Sequence, residues 1–482
     1  MQLLVILLVA VVLGHEGLGS AAAPLGNLPW WLPWMAAWGP VLVLVIVQEA
    51  AVRVCLSRLQ HGGGHRLVAT TDRLLRRTPW IALATLAIAV YLFGWLDAVR
   101  ALTGRAILLD ELLAILPVLV VVAAAWWSWH PIERRLREAS LVRRLDLGLP
   151  IVAMPNRAAY VLQQVRIHLL LLLVPVLLAV GLSELVGHLL GRWLPDRPPW
   201  ADGAASFAAI VVVFVGAPGL IRLVLDVRPL PPGAIRDDLE EVCAVHRVRM
   251  AELLLWNTGG SVINAAVIGL VRLLRYVLLS DALLDSMSRN QLRAVMAHEV
   301  GHVRLRHMIW LGLSLVSAIA GAAIVVDLAV WLAAGSRNTE GTMLLPAWAD
   351  AVSVPVSAVL ALAVFGFVSR RFERQADAFA VAHLSRAEQL GADGDGEPRV
   401  TPTAVESMCS ALEAVAQLNN VDPERRSWRH GSIRWRQQAL VALLGCPLAR
   451  LPIDRQVRMI NAASAAIVVL VAAATVVGTW AE

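Results

Sequence analysis

Eight long apolar stretches constrain this chain more than anything else in it: residues 30–48, 79–97, 107–129, 167–190, 205–225, 308–334, 350–368 and 460–480. Each, as a helix, can cross a hydrocarbon core of roughly 30 Å. Inside a bilayer a segment must satisfy its own backbone polar groups, so such stretches are expected to be helices bundled together. Composition agrees: 58% of the 482 residues are hydrophobic, 16% are charged, and the mean hydropathy is +0.67. A ninth apolar run, 2–14, is short and reads as a marginal span, an anchor or a signal peptide. Ala21-Ala22-Ala23 downstream resembles a cleavage site, whereas the lack of Arg or Lys near the N-terminus speaks against one.

Arginine orients the spans. Every Lys/Arg position is Arg, a bias suited to a GC-rich bacterial genome. Segment 49–78 carries Arg53, Arg58, Arg66, Arg73, Arg76 and Arg77, and segment 130–166 carries Arg134, Arg135, Arg137, Arg143, Arg144 and Arg157. The segments of opposite parity, 98–106 and 191–204, hold two arginines each. The positive-inside rule therefore puts 49–78 and 130–166 in the cytoplasm, and alternation puts 226–307 and 369–459 there with them. The expected localisation is a multi-pass protein of a bacterial inner (cytoplasmic) membrane, with 335–349 outside.

Cys55, Cys243, Cys409 and Cys446 all fall on that cytoplasmic side and form no C-x-x-C pair, which suits reduced structural thiols. The formal charge of +6 fits loops facing anionic lipid. With few aromatics among the basic runs, no nucleic-acid partner is expected. Trp30, Trp31, Trp34, Trp126, Trp127 and Trp129 sit near span ends, as interfacial belts do.

Chemistry enters at His298-Glu299-Val300-Gly301-His302. Histidines at i and i+4 share one helical face and suit two corners of a tetrahedral zinc. The Glu between them can take a proton from a zinc-bound water. Glu373, 71 residues after His302, offers a third ligand and leaves the fourth position open. Asp377, four residues beyond Glu373, shares its helical face and can fix the tautomer of a ligand histidine, His298 being the candidate; it could instead pair with Arg374 or Arg370. Ser288 and Gln291 form a capping box that starts a helix near Arg289, and Leu292, Val295, Met296 and Val303 give that helix an apolar stripe.

Upstream, Arg247 to Trp256, Val262 to Gly269 and Leu273 to Ser280 have strand character, with a turn at Thr258-Gly259-Gly260. Asn264-Ala265-Ala266 is the candidate edge segment against which an extended substrate could pair. The expected fold class is thus a polytopic α-helical membrane protein with a cytoplasmic α+β zincin-like metallopeptidase domain, a small sheet plus the H-E-x-x-H helix. The expected domains are an N-terminal transmembrane region (1–226), a zinc peptidase domain (227–459) interrupted by a transmembrane hairpin at 308–368, and a C-terminal transmembrane helix (460–482).

Asn264-Ala265-Ala266, the H-E-x-x-H string and Ser369-Arg370-x-x-Glu373-x-x-Ala376-Asp377 together resemble the membrane gluzincin family of the HtpX heat-shock protease and the type I CAAX prenyl endopeptidase. The resemblance covers roughly 230–460 and leaves the spans before 226 unexplained. It implies one Zn2+ per chain held by His298, His302 and Glu373, with Glu299 as base and Asp377 supporting. Trp428 to Arg436 is similar in placement to the family's downstream Thr-His-Pro segment, although Gly431 replaces the proline and Arg429 precedes the histidine. That similarity makes His430 the candidate oxyanion donor, followed by Arg434 or Arg436. His307 reads as a membrane-interface residue, and 391–398 as a flexible surface insert.

Span 308–334 begins six residues after His302. The zinc would thus sit on the order of 10 Å from the apolar boundary, which favours membrane-associated polypeptide substrates. Three functions follow: an endopeptidase for misfolded or membrane-associated proteins, a processing protease for lipidated or other specific substrates, and a non-catalytic zinc-stabilised membrane scaffold. A base at Glu299 argues against the scaffold.

Overall fold

The computed structural model describes residues 2–17, 28–61, 65–104, 107–146, 154–198, 200–260, 262–334, 347–390, 397–419 and 421–481. Ala21-Ala22-Ala23 lies outside these residues, as do most of the expected insert at 391–398 and most of the expected external loop 335–349. The chain divides into two compact units, Met1–Val227 and Arg228–Glu482.

The first unit is helical: α1 (Gln2–Gly17), α2 (Leu32–Gln60), α3 (His65–Phe93), α4 (Trp95–Thr103), α5 (Leu109–Asp146), α6 (Arg157–Val165), α7 (Leu171–Trp193) and α8 (Trp200–Val224). The short run near the N-terminus is α1, and it buries Leu4, Val5, Leu8 and Val12 within this unit. At the junction of α2, α3 and α5 the buried amide of Gln48 donates to Thr78 Oγ1 (2.6 Å) and to Val121 O (3.3 Å). A polar group buried in an apolar bundle must find such partners, and these tie the three helices into one register.

Two differences from the sequence reading have physical causes. The helices run well past the apolar stretches into the expected loops 49–78 and 130–166. There, i,i+4 pairs Glu49–Arg53, Asp72–Arg76, Glu133–Arg137 and Arg134–Glu138 support the helical backbone. The expected span 79–97 is not one straight helix: α3 ends at Phe93 and α4 leaves it at 75°. Trp95 anchors that turn by donating to Ala114 O (3.0 Å) and packing edge-on to Trp34.

Among the described residues, six helices are long and apolar enough to cross a membrane: Leu32–Gln60, Leu109–Ala139, Arg157–Trp193, Trp200–Val224, His307–Val326 and Pro452–Ala473. The bent pair Arg66–Phe93 and Trp95–Thr103 makes a seventh if it is one span. The protein is accordingly a multi-pass membrane protein. The expected span 350–368 lies in the first half of a 43-residue helix, Ala347–Gln389.

The second unit contains β1 (Val227–Pro229) at its start, then α9 (Ala234–Val245), β2 (Glu252–Trp256), β3 (Ala265–Ile268), β4 (Tyr276–Ser280), α10 (Asp281–Ser286), α11 (Arg289–Arg304), α12 (His307–Ala334), α13 (Ala347–Gln389), α14 (Pro402–Leu418), α15 (Ile433–Val441) and α16 (Pro452–Ala481). The strands form a mixed sheet of order β1-β2-β4-β3, with β2 parallel and β3 antiparallel to β4. Central β4 is buried along its whole length, which its continuous Tyr-Val-Leu-Leu-Ser run requires.

Strand β3 lies at the edge. Asn264 O accepts from Ser280 N (3.0 Å). The antiparallel alternation then turns the backbone of Ala265 and Val267 away from β4, toward the open edge. Helix α11 starts on the Ser288/Gln291 capping box, with Ser288 N accepted by Gln291 Oε1 at 2.9 Å. It then buries Leu292, Met296, Ala297 and Val300 in the core shared by sheet and helices. The three larger ones contribute roughly 1.5–3 kcal/mol each, so α11 is held by its packing rather than by helix propensity.

Candidate active site

Helices α11 and α13 carry the site, and their close approach is what permits it. Gly301, inside the H-E-x-x-H string, faces Phe379 of α13; a Cβ there would lie 3.0 Å from Phe379 Cδ1. Any side chain there would force the Phe379 ring to give way, so glycine suits this close approach, which brings Glu373 opposite the two histidines.

His298 Nε2 and His302 Nε2 are 3.2 Å apart, while Glu373 Oε2 lies 3.7 Å from His298 Nε2 and Glu373 Oε1 3.8 Å from His302 Nε2. Donors at about 2.1 Å from a tetrahedral zinc stand roughly 3.4 Å from one another. The three side chains therefore fit such an ion. Charge says the same. Glu373 and Asp377 are buried with one guanidinium, Arg436, and half-buried Glu299 lies beside them. The buried carboxylates exceed that cation by one charge, which a divalent ion would offset.

His298 Nδ1 lies 2.9 Å from Asp377 Oδ1, which turns Nε2 toward the donor cluster. Asp377 does not pair with Arg374 or Arg370. Arg436 from α15 grips it instead through Nε (2.8 Å) and Nη2 (2.6 Å), and its Nη1 reaches within 3.4 Å of Glu373 Oε2. Burial raises the cost of charging Asp377, yet Arg436 and His298 hold its carboxyl below the usual range. Burial acts the same way on Glu373, and the contact with His430 and the charge of Arg436 hold it well below the usual carboxylate range. Burial keeps His302 well below the ordinary histidine range, with His298 adding to the effect, which suits a ring able to ligate a metal. At His298 burial opposes charging, but Asp377 outweighs it and raises the ring.

Glu299 projects toward the sheet edge, where its Oε2 accepts from the outward-turned Val267 N–H at 3.0 Å. Burial pushes its carboxyl up, as a proton acceptor working near neutral pH needs. The strand expected to receive substrate is thus joined directly to the residue expected to act as base.

His430 Nδ1 is 2.9 Å from Glu373 Oε1, with its side chain about half exposed. Arg434 turns away to Glu424 (3.1 Å), so of the two arginines considered after His430, only Arg436 enters the site.

Sequence reasoning missed His307. It is buried rather than interfacial, stacks on Phe372, and places Nδ1 2.9 Å from His302 Nδ1. Its Nε2 is 2.9 Å from Gln375 Oε1, and Gln375 Nε2 donates to Asp454 Oδ1 (2.6 Å). The Gln375 amide is oriented by Asp454, so its oxygen accepts from His307 Nε2–H. Neutral His307 then accepts at Nδ1, His302 must carry its proton on Nδ1, and His302 Nε2 is left as a lone pair facing the cluster. The third histidine in H-E-x-x-H-x-x-x-x-H was the available signal.

Residues 236–393 match the model of peptidase family M48, in keeping with the resemblance to membrane zinc metallopeptidases. The CAAX prenyl protease 1 homolog of Oryza sativa subsp. japonica is 28% identical over 181 residues, a match covering 34% of this chain and 40% of that relative. The chain thus matches less than half the length of this curated relative. The crystal structure of S. mikatae Ste24p aligns with 86% of this chain and 99% of its own, at TM-score 0.45 and 14% identity.

Proposed function

We propose that this protein is a zinc endopeptidase that hydrolyses peptide bonds in membrane-associated or misfolded polypeptides, with its site on the cytoplasmic face. The observation that carries the reading is the single cluster formed by His298, His302 and Glu373 at ligand separations, with Glu299 beside it and tied to the free edge of β3.

Zinc, when bound, supplies a Lewis acid that brings the pKa of a coordinated water near 7. The chain's own residues do the rest. The outward backbone of Ala265 and the outward carbonyl of Val267 pair with an extended substrate and set the scissile bond beside the metal ligands. Glu299 takes a proton from the attacking water and delivers it to the leaving amine. Asp377 and His307 keep the ligand rings in the tautomers that expose Nε2. Arg436 offsets one of the two negative charges that Asp377 and Glu373 keep throughout. His430 donates to the developing oxyanion through Nε2, which requires the imidazolium form because Nδ1 already faces Glu373.

A second reading, processing of lipidated substrates, is favoured by the name of the rice relative. A panel of quenched peptides, unmodified and prenylated, incubated with the purified protein and zinc, tests both. Cleavage of unmodified chains supports the broad endopeptidase. Cleavage confined to prenylated ones supports the second reading, and no cleavage of either contradicts both.

A further inference from the structure

Beside His302 the site opens into a cavity of about 320 Å³ whose charged lining is of one sign. Arg247, Arg249, Arg275, Arg304 and Arg306 border it, and no carboxylate does. Arg275 is part of the wall: its guanidinium donates to Gly269 O (3.3 Å), Arg249 O (3.3 Å) and Leu270 O (2.5 Å). Gly269, at φ +101°, admits no side chain, since a Cβ would lie 2.1 Å from Leu274 O. The wall nearest β3 is therefore rigid.

The other four arginines are exposed around the concavity. Arg247, Arg249, Arg304 and Arg306 form no ion pair among the described residues. Two of them, Arg247 (φ +54°) and Arg306 (φ +57°), hold a left-handed backbone that a long side chain adopts at a cost. Four uncompensated cations in one concavity repel one another, and an anion there relieves that repulsion.

We propose that this cavity is a specificity pocket for a carboxylate-bearing residue on the amino-terminal side of the scissile bond. The inference rests on the peptidase reading above and names its substrate class. Strand β3 runs toward the cavity, and Gly269 and Leu270, immediately after it, form the rim. A substrate pairing antiparallel to β3, the stronger pairing, brings its upstream residues to that end. Lipid phosphate is the competing anion, since α12 begins at His307. A cavity that includes a metal ligand and the end of the docking strand favours a peptide.

The test uses the full-length protein in phosphatidylcholine nanodiscs and quenched peptides that differ only by Glu, Gln or Arg two to four residues before the scissile bond. Each is made with a free and an amidated C-terminus. Glu is expected to exceed Gln in kcat/KM by at least about tenfold at one of these positions, with Arg below both. The advantage should shrink as salt rises, and Arg249→Gln with Arg304→Gln should bring the Glu-to-Gln ratio toward one. The same ratio is read without turnover as peptide Kd on Glu299→Gln, so a lost peptidase activity and a lost preference are told apart. Equal binding and cleavage of the Glu and Gln peptides would overturn the proposal. So would a preference that follows the free C-terminus instead, or arginine variants that alter only the response to added phosphatidylglycerol.

Discussion

His307 Nδ1 lies 2.9 Å from His302 Nδ1, so the second histidine of the H-E-x-x-H pair is steered by a residue five positions further on. Behind it, Gln375 and Asp454 extend the same chain of contacts into α13 and α16. His307→Leu should therefore weaken zinc binding by about 10–100-fold, the usual range for removing a ligand's orienting partner. Competition against a chelator measures it. His307→Gln, whose amide oxygen can still accept from His302 Nδ1–H, should lose much less; equal losses would mean that His307 only fills space.

Arg436 is buried between Asp377 and Glu373. Arg436→Met strands two buried carboxylates and should cost about 3–5 kcal/mol of stability. Adding Asp377→Asn should recover part of that loss in a thermal-unfolding comparison. A fully additive double variant would show that the two residues do not act as a pair.

Gly301→Ala puts a Cβ 3.0 Å from Phe379 Cδ1 and should separate α11 from α13. A destabilisation of about 1–3 kcal/mol is expected, accompanied by weaker zinc retention. Phe379→Leu in the same chain should restore both. Failure of that rescue would place the cost of Gly301→Ala elsewhere.

The motif, the capping box at Ser288 and the Glu373/Asp377 pair were legible because each is a local rule: two residues at a helical spacing, or a cap three residues from its partner. Three of the four strands before the motif were legible from their β-branched and leucine runs, although the readings Arg247–Trp256, Val262–Gly269 and Leu273–Ser280 run past β2, β3 and β4, and the short β1 was not read. Arg436 was read only as a possible oxyanion donor and not as the partner of Asp377, and Gln375 and Asp454 were not read at all, because nothing in their neighbours' spacing says that α15 and α16 fold back on α11. The helix extensions past the spans were hidden by their charge, since Arg and Glu at i,i+4 look like loop in a hydropathy reading and like helix in a pairing one. The bend after Phe93 was hidden in the same way, because Trp95 and Leu96 continue the apolar run through it.

His246 Nε2 faces His383 Nδ1 at 2.9 Å, and burial, aided by His383 and nearby arginines, lowers His246 to about 4. An unfolded histidine titrates near pH ~6.5, so between those values the unfolded chain binds more protons than the folded one. Stability should be full above about pH 6.5 and fall as pH drops toward 4. His246→Gln should flatten that slope in unfolding measured across the window; an unchanged slope would show that His246 does not cause it.

Glu299→Gln separates the base from the ligands most directly. Its zinc content and fold should match the unaltered protein while hydrolysis of a quenched peptide falls by at least about two orders of magnitude, the low end for losing a general base. His298→Ala, measured alongside, should lose zinc and activity together. Substantial turnover by Glu299→Gln, or undiminished zinc in His298→Ala, would contradict the assignment of this site as a zinc peptidase centre.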